Sequence, residues 1–293
     1  YTEMTPIQQA SLPLALAGQD VIAQASTGSG KSAAFGLPLV EKLTANFHAV
    51  QALVMCPTRE LADQVTTEIR RLARSTANIK VVTLCGGVAL RGQEQSLQHG
   101  AHVVVGTPGR ILDHLTRGNL RLDSVKTLVL DEADRMLDMG FFDDIAQLIR
   151  QCPATRQTLL FSATYPEGIA KLSAQFMHQP QTVKVQTVHA ADKIKQLFYE
   201  VREDERLHAV SMLLNHFRPE STLVFCNTKQ QCRELLAVLQ AQGFDALALY
   251  GELEQRERDQ VLVQFANRSC SVLVATDVAS RGLDISQLNA VIN

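Results

Sequence analysis

Two stretches of this chain carry residue types in spacings that phosphate chemistry uses. The first is Ala25-Ser26-Thr27-Gly28-Ser29-Gly30-Lys31-Ser32, which follows the apolar run Val21-Ile22-Ala23. Glycines let a backbone curl so that its N–H groups converge on an anion, and the N-terminus of a following helix adds partial positive charge. A lysine at the head of that helix reaches the outer phosphates as a point charge, and the next hydroxyl suits Mg²⁺. Ser26, Thr27, Gly28, Ser29, Gly30, Lys31 and Ser32 are therefore the candidate phosphate cradle. The bland alternative is a flexible glycine turn, and Lys-Ser at a strand-to-helix junction weighs against it. The usual form of such a loop opens on glycine, where this chain has Ala25.

In the second stretch, Thr127-Leu128-Val129-Leu130 runs straight into Asp131, Glu132 and Asp134. A short apolar run of this kind reads as a buried strand of a parallel sheet. Its carboxylates then fall at the C-terminal strand end, where open α/β sheets place their ligands. Taken alone, the stretch fits a solvated helix N-terminus equally well, because carboxylates meet the helix dipole favourably there. The phosphate cradle tips the balance. Phosphate-bound Mg²⁺ needs a carboxylate from a neighbouring strand end, which Asp131 can supply directly or through water. Glu132 can then orient the water that attacks a γ-phosphate. Lys31, Asp131 and Glu132 are the candidate catalytic residues, with Ser32 and Asp131 the candidate metal ligands.

The elements that must position these groups are legible in outline. At 293 residues, with 46% apolar content, the chain has enough for two domains with real cores. Short β-rich runs alternate with helical patterns, which predicts parallel sheets flanked by helices. Strands are expected at 20–24, 52–56, 80–84, 102–105, 127–130, 158–161 and near Val183, then at 197–201, 222–226, 246–250 and 271–275. The last residues also read as a strand. The polar stretch 187–195 lacks apolar periodicity and reads as a linker between domains at 1–186 and 196–293. The chain opens on Tyr1 and closes inside a strand-like run, so it reads as a fragment whose second domain is incomplete.

Charge is nearly balanced, with 28 Lys+Arg against 30 Asp+Glu, so no global basic footprint announces nucleic acid, although a local groove could be basic. The six cysteines include no Cys-x-x-Cys pair and sit in or beside apolar runs, which reads as free thiols in a reducing cytoplasm. No uninterrupted apolar run is long enough for a bilayer, and no signal peptide is evident. A monomer without membrane association is the expectation.

Taken in order, these motifs resemble the DEAD-box ATP-dependent RNA helicases almost from end to end. The family's first motif has alanine where this chain has Ala25, and Asp131-Glu132-Ala133-Asp134 matches the name-giving motif. Pro57-Thr58-Arg59-Glu60-Leu61-Ala62, Gly86-Gly87 and Thr107-Pro108-Gly109-Arg110 resemble motifs that contact RNA. Ser162-Ala163-Thr164 resembles the motif that couples hydrolysis to duplex opening. Val224-Phe225-Cys226-Asn227-Thr228, Gln255 to Arg258, and Ala275-Thr276-Asp277 through Arg281-Gly282-Leu283-Asp284 follow in sequence.

The resemblance implies two tandem RecA-like domains, ATP with Mg²⁺, and single-stranded or short duplex RNA gripped mainly through sugar and phosphate. It implies that Gln8 recognises adenine, that Asp284 reaches the ribose, and that Asp134, Ser162 and Thr164 link the nucleotide to the domain interface. Thr58, Arg59, Gly87, Thr107, Arg110, Arg258 and Thr276 are the implied RNA contacts. No aromatic-rich stripe suggests base reading. The chain departs from the family at Tyr250, where histidine is common, with little consequence expected. Within the family the chain most resembles the bacterial DbpA subgroup, which implies a role with ribosomal RNA and large-subunit assembly. The family's arginine motif would lie beyond Asn293, so this chain by itself is expected to hydrolyse ATP slowly.

Overall fold

The computed structural model of the protein describes residues 3–26, 28–76, 78–185, 195–276 and 288–293. The chain divides into two compact units, Tyr1–His189 and Ala190–Asn293. That division falls within the stretch read as a linker, most of which lies outside the described residues.

The first unit alternates helix and strand in the order α1 (Pro6–Leu16), β1 (Val21–Gln24), α2 (Lys31–Glu41), β2 (Ala52–Met55), α3 (Arg59–Leu72), β3 (Val81–Leu84), α4 (Leu90–Gln98) and β4 (Val103–Gly106). It continues with α5 (Pro108–Thr116), β5 (Thr127–Leu130), α6 (Ala133–Asp138), α7 (Phe142–Arg150), β6 (Gln157–Ser162), α8 (Glu167–Phe176) and β7 (Gln181–Lys184). The strands pair in parallel in the order β3-β4-β2-β5-β6-β1-β7.

A parallel sheet covered by helices on both faces needs strands that are apolar on both sides. β2, β4 and β5 are buried at every position. Successive side chains point to opposite faces. Leu53, Met55, Val104, Leu128, Leu130 and Leu160 therefore fill one core, while Val54, Val103, Val105, Val129, Leu159 and Phe161 fill the other.

Helix signals in the sequence are obeyed locally. Thr58 caps α3 by accepting from the Leu61 amide at 3.3 Å, Glu60 sits in the first turn, and Arg70 and Arg71 sit in the last, which suits the dipole. Its apolar face, Leu61, Val65 and Ile69, is buried against the sheet. α2 carries Phe35 edge-on to Phe161 of β6, with ring centroids 5.3 Å apart. That contact holds the helix that opens with Lys31 and Ser32. Asp20, just before β1, accepts from the amides of Thr158 and His178, both at 2.7 Å, and so ties the starts of β1 and β6 to the approach to β7.

The second unit comprises α9 (Arg206–Phe217), β8 (Thr222–Cys226), α10 (Lys229–Ala241), β9 (Ala246–Leu249), α11 (Gln255–Ala266), β10 (Val272–Thr276) and β11 (Ala290–Ile292). Its strands form a parallel sheet in the order β11-β8-β10-β9, with a core on each face.

Two expectations need correction. The strand expected at 197–201 does not form: these residues have no regular structure, and Leu197, Tyr199 and Val201 are exposed, with Phe198 91% exposed. The apolar run Leu197-Phe198-Tyr199 supplies side chains for a strand but not the backbone partner that a ladder requires. Conversely, Thr107-Pro108-Gly109-Arg110, which as a short polar, glycine-bearing stretch after a strand reads as a turn, opens a helix. Thr107 is the N-cap and Pro108 the first residue of α5, as proline's fixed φ and missing N–H favour.

Replacing Phe35 with alanine removes the edge-to-face pair and leaves a cavity under α2. The expected cost is about 3–5 kcal/mol of first-unit stability. It should appear in urea titration as a lower midpoint with an unchanged slope.

Candidate active site

The phosphate loop leaves β1 and is tied to its neighbour at once: the Ala25 amide donates to Ser162 O at 3.0 Å. Ser29 Oγ donates to Ser26 O at 2.7 Å and closes the turn. Gly30 has φ 89°, left-handed backbone that glycine adopts without strain. A Cβ there would stand 2.7 Å from Gln8 Nε2, so both the backbone angle and the space require glycine.

Lys31 follows at the start of α2, only 6% exposed, and its Nζ has no hydrogen-bond partner among the described residues. A buried ammonium without partners is costly, and an anion in the adjacent loop would relieve it. The donor set therefore fits a phosphate. Ser32 is half-buried beside it. Thr27 lies outside the described residues.

The carboxylates stand two strands away. β6 lies between β1 and β5, so the phosphate loop and the 131–134 turn emerge from the same edge of the sheet about 10 Å apart. Asp131 is 2% exposed, and one of its carboxylate oxygens accepts from the Glu132 amide at 3.0 Å. Burial pushes its carboxyl up to about 6, against the pull of the Lys31 charge, with Glu132 and Asp134 adding repulsion. A divalent cation would replace the hydration Asp131 has lost with charge, so this buried carboxyl suits a cation, and Ser32 offers a half-buried hydroxyl at the start of α2.

Glu132 is buried and has φ 51°, an unusual backbone for a residue other than glycine. Its carboxylate accepts from Arg135 Nη1 at 2.6 Å. Arg135 was not anticipated, although charges at i and i+3 on a helix are a readable signal.

Asp134, Ser162 and Thr164, expected to act together, are in contact. Thr164 donates to the Asp134 carboxylate through its amide at 2.8 Å and its hydroxyl at 2.7 Å. The Asp134 amide donates to Ser162 Oγ at 3.2 Å. Burial works to raise the Asp134 carboxyl, but the Thr164 hydrogen bonds, helped by Ser162 and Arg135, outweigh it and hold it below its ordinary value. Gln8, expected to meet adenine, is buried with both ends of its carboxamide engaged in the protein. Nε2 donates to Gly30 O at 3.0 Å, and Oε1 accepts from the Thr5 amide at 2.9 Å.

The first-unit residues with implied RNA roles occupy the other half of the same edge. Thr58 and Arg59 follow β2, Gly87 follows β3, and Thr107 and Arg110 follow β4, three strands adjacent in the order β3-β4-β2. Arg59 lies 3.5 Å from Asp63, and Gly87 is exposed with φ 76°. Arg110 donates from Nη1 to Val88 O at 3.1 Å. In the second unit Thr276 ends β10 and Arg258 sits half-buried on α11. Asp284 lies outside the described residues.

Comparison with known proteins places this geometry. A family profile described as DEAD/DEAH box helicase matches residues 5–172, and one described as helicase conserved C-terminal domain matches 205–293. ATP-dependent RNA helicase DbpA of Escherichia coli (strain K12) is 54% identical over the whole chain, which spans 64% of that protein. ATP-dependent RNA helicase CshA of Listeria monocytogenes is 47% identical, with 56% of its length spanned. The chain thus spans less than two thirds of these relatives. Among solved structures, Dbp5 of S. cerevisiae bound to RNA and ADP BeF3 aligns with a TM-score of 0.89 at 31% identity, over 100% of this chain and 75% of that one. A DEAD box protein from Methanococcus jannaschii aligns with a TM-score of 0.60 at 42% identity, over 99% of this chain and 78% of that one. Because the first profile covers more than half of the chain, and the loop and turn described above lie within it, the chain belongs to the DEAD/DEAH box helicase family.

Proposed function

We propose that this chain is the core of an ATP-dependent RNA helicase that couples ATP binding and hydrolysis to local separation of short RNA duplexes. The observation that carries the reading is the pairing of a buried, unpartnered Lys31 ammonium with a buried Asp131 carboxyl on one sheet edge. Such a pair is expensive in an empty protein and useful around a metal–triphosphate.

In this reading the 26–32 loop cradles the phosphates with its N–H groups, and Lys31 meets their outer oxygens. Mg²⁺, held by Asp131 and Ser32, would neutralise charge developing on the phosphates. Glu132 orients and polarises the attacking water. Gln8 and Asp284 serve the nucleoside. Asp134, Ser162 and Thr164 carry the state of the nucleotide to the second unit. Thr58, Arg59, Gly87, Thr107, Arg110, Arg258 and Thr276 offer hydroxyls, guanidinium groups and open backbone N–H groups, which suit sugar and phosphate contacts that position RNA without reading sequence. A ribosomal RNA target in large-subunit assembly is proposed on the sequence's resemblance to the bacterial DbpA subgroup alone. No helix among the described residues is long and apolar enough to cross a membrane. We place the protein in the cytoplasm as a monomer.

Three measurements test this. ATPase stimulation by RNA should exceed stimulation by DNA of the same sequence at fixed salt, since the 2′-OH distinguishes the two. Equal stimulation favours a DNA-directed relative of the same superfamily. Glu132→Gln should retain nucleotide binding and lose turnover by about 10²-fold or more. Turnover at the wild-type rate would revive a non-hydrolysing, ATP-gated RNA clamp.

The third concerns Asp131. Its carboxyl titrates near 6 in the folded chain against an ordinary 3.8, so folding favours its protonated form. That contribution is fully present below about pH 4 and is lost as pH rises through 6. Asp131→Asn cannot ionise and should therefore be more stable than wild type at pH 7.5 by about 2–3 kcal/mol. The gap should close towards pH 4, which melting curves across pH will show, and Mg²⁺–nucleotide should no longer stabilise the variant.

A further inference from the structure

Gln93 lies on α4, 7% exposed, between the loops that follow β3 and β4. Its Nε2 donates to Cys85 O at 2.8 Å. A carbonyl can only accept, so the orientation of the amide is settled and Oε1 faces away from it. There Oε1 accepts from Arg110 Nη1 at 3.2 Å and meets His114 Nε2 at 2.9 Å. His114 must therefore carry its proton on Nε2. Burial first, and then the Arg110 charge, hold its imidazole below the ordinary value and keep it neutral. The same Arg110 Nη1 also donates to Val88 O at 3.1 Å. One carboxamide thus joins the carbonyl that precedes Gly86-Gly87 to the guanidinium that follows Thr107-Pro108-Gly109, across 17 residues of sequence.

We propose that Gln93 is a positioning residue for RNA binding, which pins the Arg110 guanidinium against the 85–88 loop and leaves its Nε and Nη2 for a phosphate of the strand. The inference rests on Arg110 being an RNA contact, as proposed above. A flexible arginine loses rotamer freedom when it grips a phosphate, and a side chain already held by two acceptors has paid less of that cost on binding. Gln93 also sets the spacing between two loops that must meet successive phosphates. A residue that only stabilised the fold would not change how many phosphates are contacted.

The test measures binding of a fluorescein-labelled oligouridylate to the full chain with Mg²⁺ and a non-hydrolysable ATP analogue, across a salt series. Four variants are compared with wild type: Gln93→Met, Gln93→Glu, Arg110→Gln and the double Gln93→Met/Arg110→Gln. Arg110→Gln should weaken binding and lower the salt slope by about 0.7, the share of one phosphate on a single strand. Gln93→Met should weaken binding about 5- to 10-fold with a similar loss of slope. The double variant should bind no more weakly than Arg110→Gln alone. Gln93→Glu keeps acceptors for Arg110 but has no donor for Cys85 O, so it should lose slope as the methionine variant does, and a wild-type melting temperature in Gln93→Met guards against a fold defect. A wild-type slope in Gln93→Met, or additive losses in the double variant, overturns the proposal while leaving Arg110 as an RNA contact. Wild-type binding by Arg110→Gln removes the RNA reading of Arg110, and the proposal falls with it.

Discussion

A buried ammonium and a buried carboxyl stand at the end of a parallel sheet with little to satisfy them: Lys31 Nζ has no hydrogen-bond partner among the described residues, and Asp131 has the Glu132 amide. Lys31 and Asp131 sit on strand-end loops flanking β6, and neither is exposed by more than a few per cent. Ions in that position relax away or neutralise unless the surrounding structure over-determines them. Here it does. The loop bearing Lys31 is closed by Ser29, abutted by Gln8 and carried on a helix locked by Phe35 against Phe161. The turn bearing Asp131 follows a strand with no exposed residue. Asp131 meets its burial partly by holding its proton more tightly than an ordinary aspartate.

The end of β6 is the joint of this arrangement. Ser162 accepts through its backbone oxygen from the first residue of the phosphate loop, and through its hydroxyl from Asp134. Two residues on, Thr164 grips the Asp134 carboxylate twice. A displacement at either nucleotide-facing loop is therefore delivered to one short segment. Sheet order also separates labour along the edge, with phosphate-type loops on β1, β5 and β6 and the groups with implied RNA roles on β2, β3 and β4. Neighbouring strands of a packed sheet cannot shift independently, so the loops along this edge share one rigid platform.

Much of this was legible in the sequence because it is local. Leu128-Val129-Leu130 announces a buried strand, Thr58 and Glu60 announce the start of a helix, and Gly28-Ser29-Gly30-Lys31-Ser32 announces its own conformation. The segment 197–201 misled because a β-prone apolar run describes side chains, whereas a strand is completed by another backbone. α5 escaped notice because Gly109, a poor helix former, obscured the Thr107-Pro108 start signal. The left-handed backbone at Glu132 and the hub at Gln93 were invisible for a different reason. The first is imposed by packing around the turn. The second is a meeting of side chains from two separate helices, α4 and α5, that no short spacing encodes.

The bare 197–201 segment has a consequence for how this chain behaves in a tube. Leu197, Phe198, Tyr199 and Val201 present β-prone apolar surface on backbone that joins no ladder among the described residues. Such a segment is a template for pairing between molecules. A net charge of −2 supplies little long-range repulsion to keep copies apart. Raised ionic strength, which screens what repulsion remains, favours that pairing.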